Sequence, residues 1–188
     1  METYGRYLNV VDVEATCWEG RPPGGQVSEI IEIGLTVVDV EERVRVGKHR
    51  ILVRPEHSTV SAFCTELTGL TQEEVDGGVP FAEACEVLRE HRADSRVWAS
   101  WGDYDRKQFR RQCDAGVRYP FGAHVNAKQQ FAVAQGWSKG VGMHRALEVA
   151  GLPLEGRHHC GADDAWNIAA LVLGLMARGA WPEVKVGG

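Results

Sequence analysis

The stretch Leu8-Asn9-Val10-Val11-Asp12-Val13-Glu14 decides how this chain is read. Its second half alternates apolar and acidic residues, and a strand sends residues i and i+2 to one face. Asp12 and Glu14 therefore leave the end of a first strand, roughly Leu8 to Val13, side by side. Two like charges held that closely are costly unless a cation neutralises them. Two solvated acids at a surface strand end are the plain alternative, and an Asp-x-Glu triplet alone does not separate the two readings.

Beyond this strand, Gly20-Arg21-Pro22-Pro23-Gly24-Gly25 reads as an exposed loop. Ile30 to Val40 and Arg43 to Val53 form a long hairpin around a turn at Asp39 to Glu42. Glu29 and Glu32 fall on opposite faces there and read as ordinary polar positions. Ser61 to Leu67 suggests a short helix, and Thr71-Gln72-Glu73-Glu74 is a capping box that opens another. The pattern next predicts an amphipathic helix over Phe81 to Glu90 and a short buried strand over Val97 to Ser100. A charged helix from Asp103 to Asp114 and a short fifth strand at Ala123 to Asn126 follow. His144 to Ala150 is a helix stopped by Gly151 and Pro153, and Gly161 to Arg178 is the last helix. The first few residues and the tail after Pro182 are expected to fray. A hairpin followed by strands alternating with helices implies a single α/β domain over residues 1–188. Helices cover its mixed sheet, and the natural site lies at the strand ends.

Composition narrows the class. The 188 residues suffice for one substantial core. A net charge of −5 argues against a broad, non-specific nucleic-acid surface. It does not exclude an enzyme acting on nucleic acid, because bound cations reverse the field of an acidic cluster. The five cysteines are scattered, with no Cys-x-x-Cys, so neither a zinc site nor a disulfide framework is favoured. A reducing cytoplasm is the expected location. The acidic, polar opening does not read as a signal peptide, and the longest apolar run, Ile168 to Ala177, is too short to span a bilayer, so no membrane association is expected.

Helical spacing chooses between neighbouring acids. From Asp105, steps of four reach Phe109 and Cys113, whereas from Asp103 the steps reach Lys107 and Arg110 or Arg111. Asp105 thus heads the face that packs on the sheet, and Asp103 is an N-cap or a partner of Lys107. Asp164 leads to Ile168, Leu171, Val172 and Leu175, but Asp163 leads to Asn167, Ala170 and Gly174. Asp164 therefore faces the sheet, and Asp163 sits where a helix N-terminus favours its charge. A carboxylate at the edge of a core stripe is expensive unless paired or metal-bound. Asp12, Glu14, Asp105 and Asp164 together suit two Mg²⁺ or Mn²⁺ ions, which prefer oxygen ligands. Two such ions, roughly 3.5–4 Å apart, can stabilise both the attacking and the leaving oxygen of a phosphoryl displacement. His159, in the loop entering the last helix, is placed to take a proton from water. His158 competes for that role, and either imidazole can also be read as a surface-loop side chain. Zinc on His158, His159 and Cys160 is disfavoured, because consecutive residues rarely face one centre.

Three segments carry a resemblance. Asp12-Val13-Glu14-Ala15-Thr16-Cys17, Tyr104-Asp105 with Phe109, and His159-Cys160-Gly161-Ala162-Asp163-Asp164 with Asn167-Ile168-Ala169 resemble the motifs of the DEDDh exonuclease family. The likeness is greatest to the branch with the histone-mRNA three-prime exonucleases of the enhanced-RNAi type and the bacterial sporulation-pathway inhibitors. Val53-Arg54-Pro55, Phe63-Cys64, Leu67-Thr68-Gly69-Leu70-Thr71, Val75-Asp76 and Ser100-Trp101-Gly102-Asp103-Tyr104-Asp105 extend it over about residues 7 to 179. The resemblance implies an RNase H-like exonuclease fold, a five-stranded mixed β-sheet flanked by α-helices. It implies metal-dependent 3′→5′ hydrolysis that releases nucleoside 5′-monophosphates. Asp12, Glu14, Asp105 and Asp164 become the ligands of two Mg²⁺ ions, with Mn²⁺ able to substitute. His159 becomes the general base, and activity is expected to rise with pH as it loses its proton.

The same resemblance places Ala15 and Thr16 where family members receive the terminal ribose through backbone groups. It places Phe63 and Tyr104 where rings can stack on terminal bases, although core packing is the other reading of both. Arg106, Lys107, Arg110 and Arg111 form a basic helix face, either a phosphate track or a solvated face paired with nearby acids. Trp18 is either a lid or a core anchor. The histone-mRNA enzymes carry an additional N-terminal nucleic-acid-binding module for which this chain has no room. The expected partner is therefore a single-stranded 3′ end, RNA ahead of DNA, rather than a stem-loop. The competing class is a regulatory module that uses the fold only to hold nucleic acid or a protein. Such a module has no need of all four acids and the histidine.

Overall fold

The first strand runs from Tyr7 to Ala15 (β1) and lies inside a mixed sheet in a computed structural model that describes residues 5–182. Its neighbours are the hairpin β2 (Ile30–Asp39) and β3 (Val44–Arg54), antiparallel throughout, and β5 (Trp98–Ser100), parallel to β1. The remaining strands are β4 (Val79–Pro80) and β6 (His124–Asn126), and the order across the sheet is β4-β3-β2-β1-β5-β6. The helices are α1 (Ala62–Thr68), α2 (Gln72–Asp76), α3 (Phe81–Glu90), α4 (Tyr104–Cys113), α5 (Ala127–Ala134), α6 (Met143–Ala150) and α7 (Gly161–Ala177).

Two elements depart from expectation. The sheet holds six strands among the described residues rather than five, because Val79 and Pro80 pair with Val53 and Arg54. A two-residue strand is too short to leave a period in the sequence. Helix α5 was not expected; Asn126 starts it by accepting the Gln129 N–H at 2.9 Å. The two segments expected to fray fall largely on residues 1–4 and 183–188, outside the described residues. No helix among the described residues is long and apolar enough to cross a membrane.

The alternation of β1 divides the core and aims the acids. Leu8 and Val10 pack with Ile168, Leu171, Val172 and Leu175 of α7 on one face. Val11 and Val13 pack with Phe81 and Leu88 of α3, Trp98, and Phe109 of α4 on the other. Asp12 and Glu14 share the parity of Leu8 and Val10, so they point toward the side that α7 covers. The capping box at Thr71 is present in full: its hydroxyl accepts the Glu74 N–H, and the Glu74 carboxylate accepts the Thr71 N–H at 2.8 Å. Thr71→Ala should cost about 1 kcal/mol in a urea titration, with an unchanged slope.

Candidate active site

The short β5 explains Asp105. Its pairing with β1 reaches only Asn9 and Val10, so the β1 edge beyond them has no strand partner. Asp105, in the first turn of α4, fills that gap by accepting the Val13 N–H on Oδ1 at 2.9 Å. Asp105, Phe109 and Cys113 are all buried, as the helical stripe requires. Asp103 occupies the N-cap but pairs with Arg106 at 3.0 Å, not with Lys107.

Asp164 reaches the site because α7 docks on bare backbone. A Cβ on Gly34 would lie 1.9 Å from the Gly161 carbonyl oxygen, and one on Gly161 would lie 3.2 Å from the Asp12 carbonyl oxygen. The two glycines let the α7 N-terminus sit directly on β1 and β2. Asp164 is then buried beside Asp12 and Glu14, and an oxygen from each of the three lies within 4.8 Å of the others. Burial, then Asp105, Asp164 and Glu14, push the Asp12 carboxyl well above its ordinary range. Burial, then Asp164, push Glu14 up to about 8. Burial raises Asp105 to about 6 against the pull of the Val13 N–H. Burial also raises Asp164, against its contact with His158. Acids this close are stable as anions only with a cation between them, and an all-oxygen donor set fits a hard divalent ion.

The loop before α7 delivers both histidines. His159 has φ +62°, and its N–H donates to Asp164 Oδ2 at 3.0 Å. His158, its competitor for the base role, touches the same carboxylate through Nδ1 at 3.1 Å. The two rings stack with centroids 4.0 Å apart. Burial, then the neighbouring His158, lower the His159 pKa, which favours the neutral ring a base requires.

Both histidines and Asp12, Glu14, Ala15, Tyr104, Asp105 and Asp164 line one cavity of about 420 Å³, together with Cys17, Leu67, Trp101 and Met143. Nothing in the sequence pattern had given these last four a role at the site. A larger depression of about 520 Å³ flanks α7; Lys48 and Asp163 on its lining pair with each other, and Arg50 pairs with Glu32. Tyr104 and Phe63 are 56% and 39% exposed, which removes the core reading for both; Tyr104 lines the cavity.

Thr16 is tied into the fold. It is fully buried, its N–H donates to the Glu29 carbonyl at 2.8 Å, and its hydroxyl accepts the Glu29 N–H at 2.9 Å. Glu29 and Glu32 are not ordinary polar positions either. Buried Glu29 accepts the N–H groups of Glu56 and His57 and the Ser58 hydroxyl, closing the loop after β3 onto β2. Buried Glu32 pairs with Arg50 at 2.8 Å. Within the basic face of α4, Arg111 donates to the Ser28 carbonyl and Arg110 lies over the Tyr119 ring, so part of it serves the fold.

An oxygen-lined cavity with an imidazole on its rim equips a metal-dependent phosphodiesterase, and likeness to known proteins narrows that class. Residues 10–172 match the RNase_T exonuclease family. The 3′-5′ exonuclease Snipper of Drosophila melanogaster is 31% identical over 210 residues, covering 96% of this chain and 72% of that protein. The 3′-5′ exoribonuclease 1 of Homo sapiens is 30% identical over 194 residues and covers 95% of this chain. The match takes in 54% of the human protein, so the chain spans about half of that relative's length. The nuclease domain of 3′hExo, a DEDDh family member bound to rAMP, superposes with a TM-score of 0.82 at 27% identity, covering 98% of each chain. The chain belongs to this exonuclease family and is by class a 3′-5′ exonuclease of the DEDDh type.

Proposed function

We propose that the chain shortens single-stranded nucleic acid from its 3′ end, RNA ahead of DNA. In this reading two Mg²⁺ ions are held by Asp12, Glu14, Asp105 and Asp164, Mn²⁺ can replace them, and residues 7–179 form one catalytic domain. The observation that carries it is the trio of oxygens from Asp12, Glu14 and Asp164 within 4.8 Å of one another, in a cavity rimmed by His159. The preference for RNA draws on the exoribonuclease relative and on the rAMP held by the solved nuclease domain.

When bound, the metal supplies Lewis-acid stabilisation of the phosphoryl and leaving oxygens. His159 accepts the proton of the attacking water, and the bond from its N–H to Asp164 fixes the turn that presents its ring. Ala15 contributes backbone at the cavity wall, where the terminal ribose is received. Tyr104 offers an exposed ring for the terminal base, and Phe63 an exposed ring on α1 for the next one. Thr16 is a positioning residue in this scheme: its hydroxyl ties the end of β1 to Glu29 and Ser58.

The test is a gel time course on 5′-labelled single-stranded RNA and matched DNA, with Mg²⁺, with Mn²⁺ and with chelator. A ladder shortening from the 3′ end, stopped by chelator and slowed about 10²-fold in His159→Ala, is the expected result. Intact substrate under every metal would move the chain to the non-catalytic class.

A further inference from the structure

We propose that His158, His159 and Asp164 form a second cation site, selective for Zn²⁺, whose filling switches the nuclease off. The two side chains belong to consecutive residues, which normally diverge, yet their rings lie together in the loop before α7, where His159 holds a left-handed conformation uncommon for a non-glycine residue. The rings stack at 4.0 Å with an interplanar angle of 24°, and the His144 ring lies 6.1 Å from that of His158. His158 Nδ1 lies 3.1 Å from Asp164 Oδ2. Two ligands bound to a tetrahedral zinc at 2.0–2.1 Å are about 3.4 Å apart, so this pair already stands near the bite of the ion. A ring nitrogen of His159 completes the set, with one donor atom from each of the three residues within 4.8 Å of the others, and the ion closes it by turning the His159 ring out of the stack.

The donor types separate this site from the acidic one. Imidazole nitrogen suits zinc, whereas magnesium takes oxygen. Asp164 belongs to both sets. A zinc ion held here withdraws Asp164 from Asp12 and Glu14 and occupies the lone pair with which His159 would accept a proton. The inhibitory part of the inference rests on the proposed roles of Asp164 and His159; the binding part does not. Cys160, the thiol next in sequence, is not a ligand, because its Sγ faces Glu32 at 3.6 Å.

The experiment uses the metal-stripped chain. Zinc affinity is measured by competition with a chromophoric chelator, and coordination by the visible absorption of the Co²⁺-loaded protein. His158→Asn should weaken zinc at least ~10-fold and reduce the cobalt spectrum, while Cys160→Ser should leave both unchanged. Thermal melts establish that each variant is folded. In the presence of excess Mg²⁺, micromolar Zn²⁺ should suppress wild-type hydrolysis, and His158→Asn should need correspondingly more zinc for the same suppression. Equal zinc affinity in wild type and His158→Asn, loss of binding in Cys160→Ser, or hydrolysis with zinc at the magnesium rate would each overturn the proposal. A chain inactive with every metal would overturn the proposed function instead, and the zinc affinities would still decide this site.

Discussion

Asp12→Asn should lose about 10³-fold or more of the metal-dependent rate and yet melt at a higher temperature than wild type in chelator. On the proposed metal set the rate falls because the variant removes a central oxygen donor. Metal stabilisation of the reacting oxygens is worth several kcal/mol, and each 1.4 kcal/mol is tenfold. The melting temperature moves the other way because Asp12 is pressed by burial, then by Asp105, Asp164 and Glu14. An isosteric amide removes that repulsion. The same electrostatics sets a pH dependence. In the metal-free fold Glu14 titrates at about 8 against an ordinary 4.5, and Asp105 at about 6 against 3.8. Between the unfolded and folded values the native state holds more protons than the unfolded chain, so stability falls as pH rises. Metal-free wild type should therefore lose thermal stability from about pH 4 to pH 8, the window of those two groups, and Mg²⁺ should restore most at the upper end. Melting curves across that window, with chelator and with Mg²⁺, check the claim. A metal-free protein whose stability climbs through the window, or an Asp12→Asn that melts lower in chelator, would remove Asp12 from a repulsive cluster.

Helical and strand periods carried the reading of the acids further than any motif did. The stripe Asp105-Phe109-Cys113 separated Asp105 from Asp103, and the stripe from Asp164 to Leu175 separated Asp164 from Asp163; both acids are buried at their helix starts. What escaped was set by contacts between distant segments or by single dihedral angles. Glu29 looks like any polar residue until the loop after β3 folds back and supplies its donors. Strand β4 is two residues long and exists only because Val53 and Arg54 lie beside it. Helix α5 is the exception, missed although its signals are local: Asn126 is a cap ahead of Ala127-Lys128-Gln129-Gln130, all good helix formers. The convergence of His158 and His159 was not legible: histidine is one of the few non-glycine types enriched at positive φ, but it adopts that conformation too seldom for the residue type alone to announce it.

Gly34→Ala should be the most damaging single methyl in the molecule. A methyl there meets the Gly161 carbonyl oxygen at 1.9 Å, the Gly161 carbonyl carbon at 2.1 Å and the Ala162 nitrogen at 2.5 Å. All three are backbone, so no rotamer relieves the contact and α7 must lift from β2. Overpacking of this kind costs about 3 kcal/mol or more. That corresponds to a fall in Tm of roughly 6–12 °C for a chain this long. Activity should fall with it even at temperatures where the variant is folded, because Asp164 and the His158–His159 loop ride on the displaced helix end. Gly161→Ala should do less, since its methyl would stand 3.2 Å from the Asp12 carbonyl oxygen and the Gly34 nitrogen, a distance that a slight shift relieves. Gly174 lies in the same helix, and a methyl added there would have no neighbour within 4 Å. Gly174→Ala should therefore stabilise by about 0.5–1 kcal/mol through helix propensity. The three substitutions add the same atom to one packing unit and differ only in what that atom meets. Melting curves and initial rates for the three variants therefore test whether the α7 dock, rather than glycine flexibility, holds the two halves of the acid cluster together. A Gly34→Ala protein that melts and cleaves like wild type would show that Asp164 does not depend on this contact for its place beside Asp12.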